Sequence, residues 1–261
     1  MIREEKALIV TFHCCPNYGA VLQTYGLYQY LKTVFQDVEV LDYRPDCLMN
    51  EYKYINTYSL GSIVTSVWSL PTYWKKRKRF SAFLNHITMT VNACSDAKYM
   101  KQVNAKYCFV GSDQIWNPEI THGFDKVYFG DVPHSGPFVV ISYGASFGKG
   151  MFSHEEKLQL KRLLQCISAI SVRELSAKVM LEEEFNINAN VVLDPTLLAG
   201  KNAFDVFISN KPREDYLFVY TLCQNPEKTI RPLARQIAQK KNLNIIEICG
   251  NRKGFKKVSH K

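Results

Sequence analysis

The sequence predicts an α/β protein with a Rossmann-like, doubly wound parallel sheet. Three observations carry this. Residues 7–12 (Ala-Leu-Ile-Val-Thr-Phe) form an unbroken apolar run, as in a parallel strand covered on both faces. Short apolar runs and helix-period segments then alternate up to about residue 200, the pattern of helices packed on a parallel sheet. Several apolar runs end in loops of small and polar residues. The fullest is Gly111-Ser112-Asp113-Gln114-Ile115-Trp116-Asn117-Pro118, at the end where open α/β sheets bind ligands.

The elements follow in order. Strand 7–12 leads through a polar loop, 13–19, to a helix in which Ala20, Val21, Leu22, Tyr25, Leu27, Tyr28 and Leu31 recur at helical spacing. Residues 38–43 are the second strand, closed by Arg44-Pro45-Asp46, which completes a βαβ unit. Residues 47–106 are less regular and are expected to hold a helical insertion around 59–86. Strands are expected at 107–110, 138–143, 167–172 and 190–193, with helices at 154–165 and 174–185. After Asp194-Pro195-Thr196-Leu197-Leu198 the pattern restarts, with strand 216–221, helix 226–240 and strand 243–249. One βαβ unit cannot cover a parallel sheet on both faces. The expected organisation is therefore a domain over 1–200 and the opening of an incomplete second Rossmann-like domain over 201–261.

Composition bounds the function. With 261 residues and 46% hydrophobic content the chain can build a sizeable core. Its net charge is +9, with much of the excess in Lys75-Lys76-Arg77-Lys78-Arg79 and in Arg252, Lys253, Lys256, Lys257 and Lys261. Such runs attract anions, though a solvated face is the plainer reading. No RRM, KH or zinc-finger pattern accompanies them, so no nucleic-acid partner is expected. Eight cysteines occur without a CxxC pair, and residues 1–6 lead into a strand without a signal-peptide core. Both point to a reducing cytoplasm. The weakly polar stretch 60–70 is too short to span a bilayer. With Trp68, Trp74 and 75–79 it offers a peripheral contact at the inner face of a membrane.

Four segments carry candidate chemistry. The 111–118 loop supplies a hydroxyl (Ser112), a carboxylate (Asp113), two amides (Gln114, Asn117) and an indole (Trp116). A turn needs Gly, Asn, Asp or Pro, not Gln and Trp as well. The segment 14–23 places Asn17, Tyr18 and Gly19 at a helix start, where free N–H groups favour anions, and Gln23 about a turn further on. It contains neither GxGxxG nor GxxxxGK[ST], so a dinucleotide site or P-loop is unsupported. The segment 141–148 (Ile-Ser-Tyr-Gly-Ala-Ser-Phe-Gly) brings Ser146 into a small-residue loop that a ligand can approach closely. Arg173 stands where strand meets helix, suited to bidentate binding of phosphate or carboxylate, with an ion pair to Glu174 or a nearby carboxylate as the plainer alternative. Asp194 before Pro195 reads foremost as a structural turn. The six histidines show no HExxH spacing and no GxSxG elbow is present, so no metal site and no serine nucleophile are expected.

Taken together, Asn17-Tyr18-Gly19-Ala20-Val21-Leu22-Gln23, the 111–118 and 141–148 segments, Ser171-Val172-Arg173-Glu174 and Leu193-Asp194-Pro195-Thr196-Leu197-Leu198 resemble the polysaccharide pyruvyl transferase family, in the family's order. The resemblance implies a glycosyltransferase-B-like fold of two halves facing a cleft. It implies transfer of pyruvyl from phosphoenolpyruvate to two sugar hydroxyls of a cell-surface glycan or its lipid-linked precursor, without cofactor or catalytic metal. It assigns Arg173 to the donor and Asp113 and Asn17 to the cleft, Asp113 as candidate base. Tyr18, Gly19, Gln23, Ser112, Gln114, Trp116, Asn117 and Ser146 are the remaining substrate-binding candidates. Family members carry an Arg-x-His segment in the second half, and this sequence has no matching triplet before Lys261. Weak or no turnover is therefore expected of these 261 residues, and the tail around His260 is expected to fray. The competing expectations are a non-catalytic glycan- or anion-binding remnant of the fold and a glycosyltransferase using a sugar nucleotide.

Overall fold

The structure, a computed structural model, describes residues 2–51, 60–208, 214–221, 226–249 and 258–260. In chain order the elements are β1 (Arg3–Val10), α1 (Tyr18–Leu31), β2 (Phe35–Val40), α2 (Asp46–Glu51), α3 (Leu60–Leu84), β3 (Tyr107–Val110), α4 (Pro118–Thr121), β4 (Val139–Ser142), α5 (His154–Leu164), β5 (Ser171–Val172), α6 (Leu175–Phe185), β6 (Asn190–Val191), α7 (Pro195–Ala199), β7 (Tyr216–Thr221), α8 (Ile230–Lys241), β8 (Asn244–Cys249) and β9 (Val258–His260).

Four strands pair in parallel in the order β2-β1-β3-β4. Bridges from Ile141 to Ala169 and from Ala145 to Val172 carry the sheet on to the parallel pair β5-β6. The sheet thus runs β2-β1-β3-β4-β5-β6, and its connections reverse direction between β1 and β3. That point is where doubly wound sheets open a crevice beyond their carboxyl ends. The loops after β1 and β3 flank it, and they are the two loops with the densest chemistry.

The apolar run of β1 is buried on both faces. Leu8 and Val10 join a cluster with Val110, Trp116, Tyr128 and Phe147. Ala7 and Ile9 join Leu27, Tyr28, Leu31 and Val40 on the opposite face. Leu8 and Ile9 are fully buried, a gain of roughly 2 kcal/mol each over exposure. Helix starts obey local chemistry. Asn17 caps α1 by accepting from the Gly19 N–H, and Ser153 with Glu156 forms a reciprocal capping box at α5. Helix α1 packs along α7 so tightly that the space where a Gly26 Cβ would sit lies 2.6 Å from the Pro195 carbonyl oxygen.

Several boundaries differ from the sequence reading. β1 begins at Arg3, because charged residues 3–6 pair at the sheet's end, where Lys6 reaches Asp37 and Glu39. It stops at Val10, since Thr11 and Phe12 accept bonds from Gln23 and turn into the loop. β5 and β6 shrink to two residues each. The end of the chain is not frayed throughout: Val258–His260 pairs antiparallel with β8. β7 and β8 pair in parallel, as expected. No helix among the described residues is long and apolar enough to cross a membrane. The basic tail residues Arg252, Lys253, Lys256, Lys257 and Lys261, and the side chain of Trp68, lie outside the described residues.

Candidate functional site

A cavity of about 430 Å³ opens at the switch point, lined among others by Asn17, Gly19, Gln23, Asp113, Arg173 and Asp194. Four connections build it: the loop and helix start after β1, the loop after β3, the turn after β5 and the turn after β6. Its volume lies in the range of small-molecule sites.

Gln23 ties the first two together. Fully buried, it donates from Nε2 to the Thr11 hydroxyl and the Ala20 carbonyl, both at 2.9 Å, and accepts from the Ser112 N–H at 3.2 Å. Gly111 permits this approach. Its φ is +129°, and a Cβ there would collide with the Tyr143 carbonyl. The loop after β3 is fixed to the loop after β4 as well. Ser146 N–H donates to Asp113 O, and Trp116 N–H donates to Ser146 O.

Arg173 is hung from β4 by serines. Ser142 and Ser171 hydroxyls each donate to the other's carbonyl, at 2.9 and 2.7 Å, and the Arg173 N–H donates to Ala145 O. The guanidinium then donates to Glu174 Oε1 at 3.1 Å and to Asp194 Oδ2 at 3.2 Å. Burial works against its charge, but Glu174, Asp194 and Asp113 outweigh that and strengthen its hold on the proton. Asp113 shows the opposite balance. Burial pushes its carboxyl above the usual range, with Asp194 adding to the rise and the Gln114 N–H and Arg173 opposing it. The site therefore pairs a fixed cation with a carboxylate made more basic by its surroundings.

Asp194 has two roles, of which the sequence reading named the first. Its Oδ1 caps α7, accepting from Thr196 N–H at 2.9 Å and Thr196 Oγ at 2.6 Å, as the turn reading expected. Its Oδ2 holds Arg173, and both Asp194 and Thr196 line the cavity. The Asp-Pro-Thr sequence signals the cap; only the parallel pairing of β5 with β6 brings it beside Arg173.

The remaining candidates divide. Asn17 and Gly19 line the cavity at the start of α1. Tyr18 instead packs its ring on Phe80 of α3, centroids 4.9 Å apart. Ser112 is fully buried, and its hydroxyl has no hydrogen-bond partner among the described residues. Gln114 and Asn117 bond each other, Nδ2 to Oε1 at 3.0 Å, while Asn117 Oδ1 caps α4 through the Glu119 N–H. Ser146 accepts from Gly148 N–H and is buried. Trp116 belongs to the core. It is fully buried, stacks on Phe129 at 5.3 Å and donates its indole N–H to Tyr128 O at 3.0 Å. A bulky apolar ring with its one donor satisfied has no edge to offer the cavity, so the structure gives Trp116 a packing role in place of substrate contact. Among the described residues no group of three or more His, Cys, Asp and Glu side chains is placed to hold a metal ion.

Sequence comparison with curated proteins gives no match. A family profile does match: that of polysaccharide pyruvyl transferase, over residues 17–260. The matched span starts at the Asn17 cap and takes in α1, the loop after β3, Arg173, the Asp194 cap and the second βαβ unit. It covers nearly all of the sequence, and on that extent the chain belongs to the polysaccharide pyruvyl transferase family.

Proposed function

We propose that this chain transfers the pyruvyl group of phosphoenolpyruvate to two hydroxyls of a glycan, or of its lipid-linked precursor, forming a cyclic ketal and releasing phosphate. The observation that carries the reading is the Arg173–Asp113 pair in one cavity at the switch point. Phosphoenolpyruvate is an anion with a phosphate and a carboxylate, and a fixed guanidinium binds either group bidentately. The reaction adds a proton to the donor's methylene carbon, leaving an oxocarbenium-like centre at C2. One sugar hydroxyl attacks that centre, phosphate leaves with the C–O bond pair, and the second hydroxyl closes the ketal. Of the two hydroxyl protons, one balances the new methyl group and the other leaves with phosphate. Asp113 serves as the base for an attacking hydroxyl, and its raised proton affinity suits that work near neutral pH. Asn17 and the free N–H groups at the start of α1 supply hydrogen bonds and positive potential. No cofactor and no metal is assigned to the reaction.

The same reading divides the chain near residue 200 and takes the parallel pair β7-β8 with α8 as part of a second Rossmann-like unit, as in a glycosyltransferase-B-like cleft. It places the enzyme in the cytoplasm, at the inner face of the membrane where lipid-linked acceptors are.

The test is thermal unfolding with and without phosphoenolpyruvate, with inorganic phosphate as control. A ligand that binds only the folded state raises the midpoint. A shift specific to phosphoenolpyruvate and lost in Arg173→Ala supports the reading. A shift unchanged in Arg173→Ala overturns the donor role of that residue, and a shift with uridine diphosphate sugars alone favours glycosyl transfer.

A further inference from the structure

The loop after β1 lines two cavities. Asn17 faces the one described above, while Cys14, Cys15 and Pro16 face another of about 640 Å³. The second cavity is walled by α3, which contributes Trp74, Lys75, Arg77, Lys78 and Phe80, and by Arg44 beyond the end of β2. No described carboxylate lines it.

Its cations differ in how far they are engaged. Arg44 is held by Asp42, Nε to Oδ1 at 2.5 Å and Nη2 to Oδ2 at 2.9 Å. Arg77 donates to the Tyr73 hydroxyl at 3.1 Å. Lys75 and Lys78, three residues apart on one helical face, are exposed and make no ion pair among the described residues. Like charges so placed repel each other, which an anion between them reverses. The Cys14 thiol is lowered to about 7, first by a hydrogen bond with Cys15, against burial, and then by His13 and Arg44. Beside the cations stand the apolar faces of Trp74, well exposed, and Phe80.

We propose that this pocket binds the diphosphate group of a larger ligand, with Lys75 and Lys78 as the charge contacts and Trp74 and Phe80 against the ligand's non-polar body. A single phosphate offers one anionic group to the lining cations; a diphosphate offers two, one for each of Lys75 and Lys78, and leaves room in the cavity for the rest of a larger ligand. Pro16 and Asn17 are consecutive, so a ligand anchored here by its diphosphate extends its other end past them toward Asp113. To that extent the inference rests on the pyruvyl-transfer reading, in which that other end is the acceptor saccharide.

The experiment is isothermal titration at fixed ionic strength with inorganic pyrophosphate, sulfate as control, on the wild type, a Lys75→Ser/Lys78→Ser double variant and Arg173→Ala. Both lysines are exposed, so the double variant keeps its fold, which its unfolding midpoint without ligand checks. Two lost charge-assisted contacts weaken pyrophosphate by about tenfold or more, while Arg173→Ala leaves it unchanged. Pyrophosphate binding no tighter than sulfate, binding insensitive to the double variant, or binding lost in Arg173→Ala overturns the proposal. Farnesyl diphosphate and uridine diphosphate then distinguish a lipid from a nucleotide body. A gain by either over pyrophosphate supports the apolar wall's part, and no gain by both overturns it. Phosphoenolpyruvate titrated into the double variant separates the two readings. Retained donor binding upholds the Arg173 cleft whatever pyrophosphate does, and absent donor binding in every protein sinks pyruvyl transfer without touching the diphosphate result.

Discussion

Gly26 is the sharpest test of how the cleft is built. In an ordinary helix interior, Gly→Ala gains about 1 kcal/mol, because alanine loses less backbone entropy on folding. Here the added Cβ would lie 2.6 Å from the Pro195 carbonyl oxygen and 2.8 Å from its carbon. Both are backbone atoms of α7 and cannot rotate away. Overpacking costs roughly 1–3 kcal/mol, and a clash with backbone belongs at the upper end. The clash wins, with a net loss of about 2 kcal/mol for Gly26→Ala. With a urea m-value of about 2 kcal/mol/M, the midpoint falls by about 1 M. The consequence reaches the site, because Pro195 and Thr196 follow Asp194, which holds Arg173. Pushing α7 off α1 therefore also weakens the phosphoenolpyruvate-induced thermal shift. Urea unfolding followed by circular dichroism gives the first quantity. A variant stabilised by about 1 kcal/mol, the usual helix gain, would refute the close packing of α1 on α7.

Three further outcomes follow. Trp116→Ala costs about 3–5 kcal/mol in urea unfolding and Trp116→Phe markedly less: both leave the Tyr128 carbonyl without its indole donor, but the first also opens a larger cavity beside Phe129. Asp113→Asn stabilises the protein at pH 7: burial raises the folded-state pKa, so stability is full below the unfolded carboxylate range and declines as pH rises through the folded value. The difference in urea midpoint between Asp113→Asn and wild type therefore narrows as pH falls toward 4, while activity is lost at every pH. Cys14 reacts with iodoacetamide at a rate that rises to half its maximum near pH 7, against above pH 8 for an ordinary thiol, as read by peptide mass spectrometry.

The sheet was legible because burial on both faces leaves a mark that needs no partner to be read. Residues 107–110, an apolar run stopped by Gly111, show the same bounds in sequence and structure; so do residues 216–221, although Tyr216, Phe218 and Tyr220 leave one face of that strand exposed. The 167–172 run was too long, because Ile167 and Ile170 are apolar for the core and not for strand pairing. The candidate site was legible as a set of loops but less so residue by residue. Sequence identifies Trp116, Asn117 and Gln23 as chemically rich; it does not show that Tyr128, Gln114 and Ser112 already satisfy them. It separates Arg173 from Asp194 by twenty residues, and only the β5-β6 pairing rejoins them. The second cavity was hidden for the same reason. The 75–79 run reads as a solvated face until α3 is seen against the Cys14–Pro16 loop.

With Arg173 as the proposed donor contact, its clasp sets a charge threshold. A guanidinium already bonded to Glu174 and Asp194 gains little from exchanging one carboxylate for another, so a lone carboxylate competes weakly there. A ligand whose phosphate alone carries about two negative charges can displace what a monoanion cannot. Once displaced, the two side chains become bare negative groups beside the cavity and speed the departure of an anionic product. In the proposed reaction the same three residues would disfavour lone carboxylates on entry and favour phosphate on its way out.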